Sequence, residues 1–251
     1  MNEYAIGIFD SGIGGVSVLK ELIKKMPNEN YIYLSDSLNN PYGDKDHNDL
    51  LDICKKNVEC LLNKNCKTIV IACNTATVRT ADELRNIYKD ITIFGIEPAY
   101  KMIYDYDYDK NTLIMATKGT VESNHFKELF DKYNNNKTYI LSCPGLADLI
   151  EEGNTEKIKE YLIENLSMYK GLIESVVIGC THYFFIEDEI KKVLGDVKFY
   201  YGAESVAKNV YSFLEKEKKL SNNSNKGTIE FIDTSNLVEK VNRFWKFINE
   251  E

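Results

Sequence analysis

Two apolar runs, one in each half of the chain, end in a thiol. Thr68-Ile-Val-Ile-Ala leads into Cys73-Asn-Thr-Ala, and Ser175-Val-Val-Ile-Gly leads into Cys180-Thr-His-Tyr. A short β-branched run that stops at a small residue, then a thiol, then polar groups has the pattern of a central parallel strand. Such a strand is buried on both faces and delivers its last side chains to the carboxyl edge of a sheet. Two thiols arriving this way suggest a site with a sulfur on either side of one substrate. Inversion of a stereocentre needs that arrangement, a base on one face and an acid on the other.

The segments around these runs alternate. Strands are expected at 5–9, 31–34, 91–94, 112–116, 138–141, 197–201 and 228–231 beside the two thiol-bearing runs, with helices over 16–26, 46–63, 80–88, 121–133, 156–173, 204–218 and 237–248. The alternation predicts an α/β fold, a parallel sheet with helices on both faces, in which the pattern of the first half recurs in the second. The last strand and helix are expected to return to the first half. No low-complexity tract or linker separates the halves, so they should pack closely. Tyr104-Asp-Tyr-Asp-Tyr-Asp109 reads as a solvated loop, and His47 and His125 as surface residues.

Composition removes several functions. A net charge of −8 lacks the basic face of a nucleic-acid binder. No apolar run approaches the ~20 residues of a membrane span, and Met1-Asn-Glu-Tyr lacks the layout of a signal peptide. Six cysteines without a signal and without a Cys-x-x-Cys pair point to a reducing compartment, the cytoplasm, and away from zinc ribbons or thioredoxin-type chemistry. Cys54, Cys60 and Cys66, in or beside one helical pattern, read as small buried hydrophobes.

The chemistry-bearing residues cluster. Asp10-Ser-Gly-Ile-Gly-Gly15 turns from a strand into a helix, where free backbone N–H groups favour a carboxylate or phosphate; a tight turn that simply needs glycine reads equally well. A free thiol titrates near 8.5, so Cys73 and Cys180 need a setting that favours the thiolate, and the start of a following helix supplies one. Asn74, Thr75 and Thr181 offer uncharged hydrogen bonds to a carboxylate. His182, two residues from Cys180, is placed to relay or hold its proton.

With these motifs in order, the chain resembles the glutamate racemases of the cofactor-independent aspartate/glutamate racemase superfamily. The resemblance runs through Asp10-Ser-Gly-Ile-Gly-Gly15, Pro41-Tyr-Gly43, Ala72-Cys-Asn-Thr-Ala76, Cys143-Pro144 with Glu151 downstream, and Gly179-Cys-Thr-His-Tyr183. It implies two pseudo-symmetric α/β domains, each a mostly parallel sheet flanked by helices, with the active site in the cleft between them. Residues 1–95 with 206–251 would form the first domain, carrying Asp10 and Cys73, and 96–205 the second, carrying Cys180 and His182. The resemblance further implies that Cys73 and Cys180 are the two acid/base residues, assisted by Asp10 and His182, and that Glu151 is a carboxylate near the site. Asp10, Ser11, Tyr42, Gly43, Asn74, Thr75, Thr120, Thr181 and His182 match substrate-binding positions. No cofactor, no metal, glutamate as substrate, a role in supplying D-glutamate for cell-wall peptidoglycan, and a homodimer follow as expectations.

The chain departs from the family at Ser35-Asp-Ser-Leu-Asn-Asn, where many relatives have a glycine ahead of the aspartate, and at Tyr200-Tyr201, where small polar residues are common. These changes leave the acid/base set intact and bear on substrate affinity, dimer packing and regulation. Three other readings compete: racemisation of aspartate or another acidic amino acid, an amino-acid-binding protein without turnover, and a zinc or redox protein using Cys73, Cys180 and His182.

Overall fold

A computed structural model describes residues 4–249, so residues 1–3, read above as no leader, lie outside the described residues. The chain begins with β1 (Ile6–Asp10), α1 (Val16–Lys25), β2 (Tyr31–Ser35), α2 (His47–Asn63), β3 (Thr68–Ile71), α3 (Asn74–Ile87), β4 (Ile93–Gly95) and α4 (Tyr100–Tyr106). It continues through β5 (Thr112–Ala116), α5 (Lys118–Val121), α6 (Asn124–Tyr133), β6 (Thr138–Ser142), α7 (Leu146–Glu152), α8 (Thr155–Leu166), β7 (Ser175–Gly179), α9 (Glu187–Leu194) and β8 (Lys198–Tyr200). Finally come α10 (Ala203–Lys216), β9 (Ile229–Asp233) and α11 (Val238–Asn249).

The strands form two sheets, ordered β4-β3-β1-β2-β9 and β6-β5-β7-β8, and every pairing is parallel. β1, β3, β5 and β7 are buried along their whole length, as mostly apolar central strands covered on both faces must be. Ile69, Ile71 and Phe9 face α2 and α3, while Ile6, Ile8 and Val70 face α1 and α10. In the second sheet Leu113, Val176 and Ile178 pack under α7, α8 and α9, and Ile114 and Val177 pack under α4 and α6. The expected α/β architecture is present, and β9 joins the first sheet beside β2. Among the described residues no helix is long and apolar enough to cross a membrane.

Several helix boundaries differ from the sequence-based expectation, each for a local reason. The expected helix over 121–133 is two, because Ser123 restarts it by accepting a hydrogen bond from the Phe126 N–H. The helix expected to reach residue 173 ends at Leu166, followed by a single 3₁₀ turn and by Gly171 at φ +73°. α7 was not expected; it is bounded by Gly145 and Gly153, both left-handed. α4 takes up the first part of the Tyr/Asp run expected as loop, and its Tyr104 packs edge-on against Tyr108. The helix expected to start at the second thiol cluster opens as a 3₁₀ helix at Thr181 and continues as α9 from Glu187.

The C-terminal helix is anchored by aromatic stacking. The Phe244 ring is fully buried, lies 4.0 Å centroid to centroid from Phe231 at 16°, and sits 5.2 Å from Tyr33. Phe244→Ala should therefore destabilise the protein by about 3–5 kcal/mol, read as a lowered urea midpoint. An unchanged midpoint would mean that α11 is held by its other contacts.

Candidate active site

Each half brings its site residues to the carboxyl ends of its strands, where the strand order reverses. β1 lies between β2 and β3, so the loops after β1 and β3 diverge and leave a crevice; Asp10 ends β1, and Cys73 follows β3. β5 lies between β6 and β7, and there Thr117 and Cys180 occupy the corresponding places. The two crevices meet in one cavity of about 40 Å³ lined by both thiols, Ser11, Thr75, Thr181 and His182. Tyr42 and Gly43 also line it, so eight of the expected residues share its wall. The space is too small for an amino acid, so the halves must part to admit one.

Cys73 caps α3, which starts at Asn74 rather than near residue 80. Its sulfur points toward Ser11 Oγ at 4.0 Å. The helix start was expected to favour the thiolate. Burial wins instead: it pushes the Cys73 thiol well above its ordinary range, and the neighbouring Asp10 charge adds to the rise. Cys180 precedes a 3₁₀ helix (Thr181–Ile186), and its sulfur lies 3.9 Å from His182 Nδ1.

His182 and Glu151 form a buried pair, Nε2 to Oε2 at 2.8 Å. Burial opposes charge on His182, but hydrogen bonds to Cys180 and Glu151 and the Glu151 charge outweigh it and hold the imidazole well above its usual value. Burial likewise opposes charge on Glu151, but His182 and Lys240 outweigh it and bring the carboxyl down to about 2. The second Glu151 oxygen pairs with Lys240 of α11, and the Arg243 guanidinium donates to the Glu151 and Ile150 carbonyls. Glu152, beside it, is exposed.

The glycine turn holds an anion, but one supplied by the protein. Ile13 N–H donates to Glu151 Oε2 at 3.3 Å, and Gly15 N–H donates to Asp10 Oδ2 at 2.8 Å. A Cβ on Gly12 would stand 2.7 Å from Glu151 Oε2, and one on Gly14 would stand 2.6 Å from His182 Nδ1. Close approach of the second half, not turn geometry, is what requires glycine there.

Asp10, Asn74, Thr120 and Glu151 do not line the cavity. Asp10 and Asn74 are buried, and the Oδ1 atom of each lacks a partner. Asn74 lines a larger cleft of about 640 Å³ that also reaches Cys180 and Thr181 and includes Tyr200 and Tyr201 in its wall. Thr120 stands 3.3 Å from Thr75 across the halves, with Thr117 Oγ1 at 2.8 Å from Thr75. The Tyr42 hydroxyl is turned away, donating to Asp36 Oδ2 at 2.6 Å and accepting from Asn57.

Sequence reasoning missed Thr117, Asn40 and Asp148, which line the cavity, and Lys240 and Arg243, which brace it. Asn40 Nδ2 reaches across the mouth to Asp148 Oδ1 at 3.1 Å. Nothing in the sequence pattern distinguishes Lys240 and Arg243 from other cations on an amphipathic helix. His47 and His125 pair with the partly exposed Glu83 and Glu97. Among the described residues no group of three or more His, Cys, Asp or Glu could hold a metal ion.

A family model described as Asp/Glu/hydantoin racemase matches residues 25–209. The chain belongs to that family. This racemase is 44% identical over 241 residues to a glutamate racemase of Clostridium botulinum (strain Alaska E43 / Type E3), covering 94% of this chain and 93% of the relative. It is 42% identical over 234 residues to a glutamate racemase of Clostridium perfringens (strain SM101 / Type A), covering 91% and 90%. Its fold superposes with a TM-score of 0.85 on the glutamate racemase of Francisella tularensis solved in complex with D-glutamate, at 29% identity over 100% of this chain and 96% of that one.

Burial raises the Asp10 carboxyl to about 6 despite the opposing His182 charge and the Gly15 and Ser11 N–H groups. The folded-state value lies above the unfolded one, so ionising Asp10 costs stability as pH rises from about 4 through 6. Asp10→Asn should therefore raise stability at pH 8 by on the order of 1–3 kcal/mol, with the gain fading toward pH 4. A thermal-melt series across pH reads this, and a gain independent of pH would assign it to packing instead.

Proposed function

We propose that this racemase interconverts L- and D-glutamate by cofactor-independent proton transfer between Cys73 and Cys180. The observation that carries the reading is the pair of sulfurs on the walls of one small cavity, each supplied by a different half. With an amino acid between them, one sulfur as thiolate takes the α-proton, and the electron pair left on Cα is drawn into the carboxylate. The other sulfur, as thiol, delivers its proton to the opposite face. Thiol and thiolate have then exchanged places.

The surroundings serve this exchange. Asp10 and His182 are the nearest titratable side chains assigned to assist, Asp10 beside Cys73 and His182 beside Cys180. Glu151 keeps His182 charged and fixed. Ser11, Thr75, Thr181 and the Gly43 backbone offer neutral donors around the substrate carboxylates, which stabilise the developing carbanion most strongly when closure excludes water. Asn74, from the adjoining cleft, and Thr120, which holds Thr75, are assigned to the same binding set. The strong similarity to glutamate racemases, over more than nine-tenths of the chain, favours glutamate over aspartate. The function fits supply of D-glutamate for peptidoglycan in the cytoplasm by a homodimer, which light scattering on the purified chain would test.

Circular dichroism of L-glutamate and, separately, L-aspartate incubated with the protein tests the substrate. Decay of the glutamate signal alone to zero, without added cofactor, is expected; decay of aspartate alone would keep the mechanism and move the substrate. Cys73→Ser and Cys180→Ser should each lower racemisation by at least about 10³-fold, given the weaker acidity of a hydroxyl. Full racemisation by either variant would sink the two-thiol assignment.

A further inference from the structure

The cavity between the thiols adjoins a polar cleft of about 450 Å³, and Gly43, Asp44 and Lys118 line both. Three cations, Lys45, Arg79 and Lys118, face two carboxylates, Asp44 and Glu122, across this outer space. In a chain of net charge −8 the cations of this cleft outnumber its carboxylates by one. None of the three cationic side chains makes a hydrogen bond or ion pair among the described residues, whereas Lys110, Lys191 and Lys208 all pair with glutamates.

Arg79 is the most telling of the three. It is half-buried, and its guanidinium has no hydrogen-bond or ion-pair partner among the described residues. It lies on α3 four residues beyond Thr75, so the two share a helix face. Thr75 lines the inner cavity and Arg79 the outer cleft, so one face of the helix leads from one to the other. Inside the cavity the lining charges are mixed, Asp44 and Asp148 against Lys118 and His182, with Asp10 and Glu151 behind them. An acidic amino acid approaching Cys73 therefore passes Lys45 and Arg79 before it reaches this mixed inner lining.

We propose that Lys45, Arg79 and Lys118 form a vestibule that captures a carboxylate of the acidic amino acid at the mouth of the cavity, with Arg79 supplying the paired N–H donors. The planar guanidinium fork matches a carboxylate in two parallel hydrogen bonds, and the two lysines supply mobile point charges around it. The vestibule favours substrates with a second carboxylate over neutral amino acids. Salt weakens it, because exposed charges are screened over about 8 Å at physiological ionic strength. The proposal rests on the reading that the substrate is an acidic amino acid.

The test compares wild type, Arg79→Gln, the triple variant Lys45→Gln/Arg79→Gln/Lys118→Gln, and Lys170→Gln, which removes one charge from a groove between α8 and α9. In low salt the triple variant should show KM for glutamate raised about five-fold with kcat within about two-fold of wild type. Arg79→Gln should account for most of that rise, and the salt dependence of the wild-type KM should disappear. Unchanged KM and salt dependence in the triple variant would overturn the vestibule while leaving racemisation in place. An equal rise in Lys170→Gln would overturn it too, by tracing the effect to net charge.

Calorimetric titration with glutarate, a dicarboxylate without an α-proton to exchange at a stereocentre, reads the same site without turnover. A roughly five-fold weaker affinity in the triple variant supports the vestibule even where no racemisation is seen. Equal affinities overturn it.

Discussion

The architecture depends on one buried carboxylate. Glu151 belongs to α7 in the second sheet's half, and its oxygens take His182 from the same half, the Ile13 N–H from the first-sheet turn, and Lys240 from α11, which packs on the first sheet. Taking such a group out of water costs several kcal/mol, and only this full set of donors offsets it. Each donor comes from a different element, so the carboxylate ties the two halves together behind the cavity wall. It also explains why the turn after β1 is so rich in glycine: any side chain on Gly12 would occupy the space of Glu151 itself.

Around that tie the site is built against stability. Asp10 is fully buried with one oxygen unpartnered, and the Asn74 amide oxygen is unpartnered as well. Cys73 is held as a thiol by burial and by its acidic neighbour. Both groups flank Cys73, at the ends of the first sheet's central strands. The cost is borne by the surrounding core, in which β1 and β3 are covered on both faces.

Much of this was legible in the sequence because it depends on local order. The runs ending at Cys73 and Cys180 disclosed central strands, and two strands reaching one cavity follow from the reversal of strand order at β1 and β5. The start of α3 was missed because Asn74-Thr-Ala-Thr-Val has weak helical propensity; burial between the halves fixes it as helix. α7 was missed although Gly145 and Gly153 mark its ends, since a seven-residue helix carries too little periodicity to stand out. Lys240 and Arg243 were beyond reach, because their role arises only when α11 folds back beside a helix almost ninety residues earlier in the chain. Distance along the sequence also hid that Glu151 is one of the carboxylates at the glycine turn.

The small cavity has a consequence for the history of each molecule of protein. At about 40 Å³ it leaves little room for solvent between the two sulfurs, which slows the exchange of protons there. On the two-thiol path, each inversion leaves the sulfur that was bare carrying a proton and the one that was loaded bare. The protein thus emerges poised for the mirror image of the molecule it has just consumed. Between turnovers it keeps a one-proton memory of the last handedness it met, erased by exchange with water.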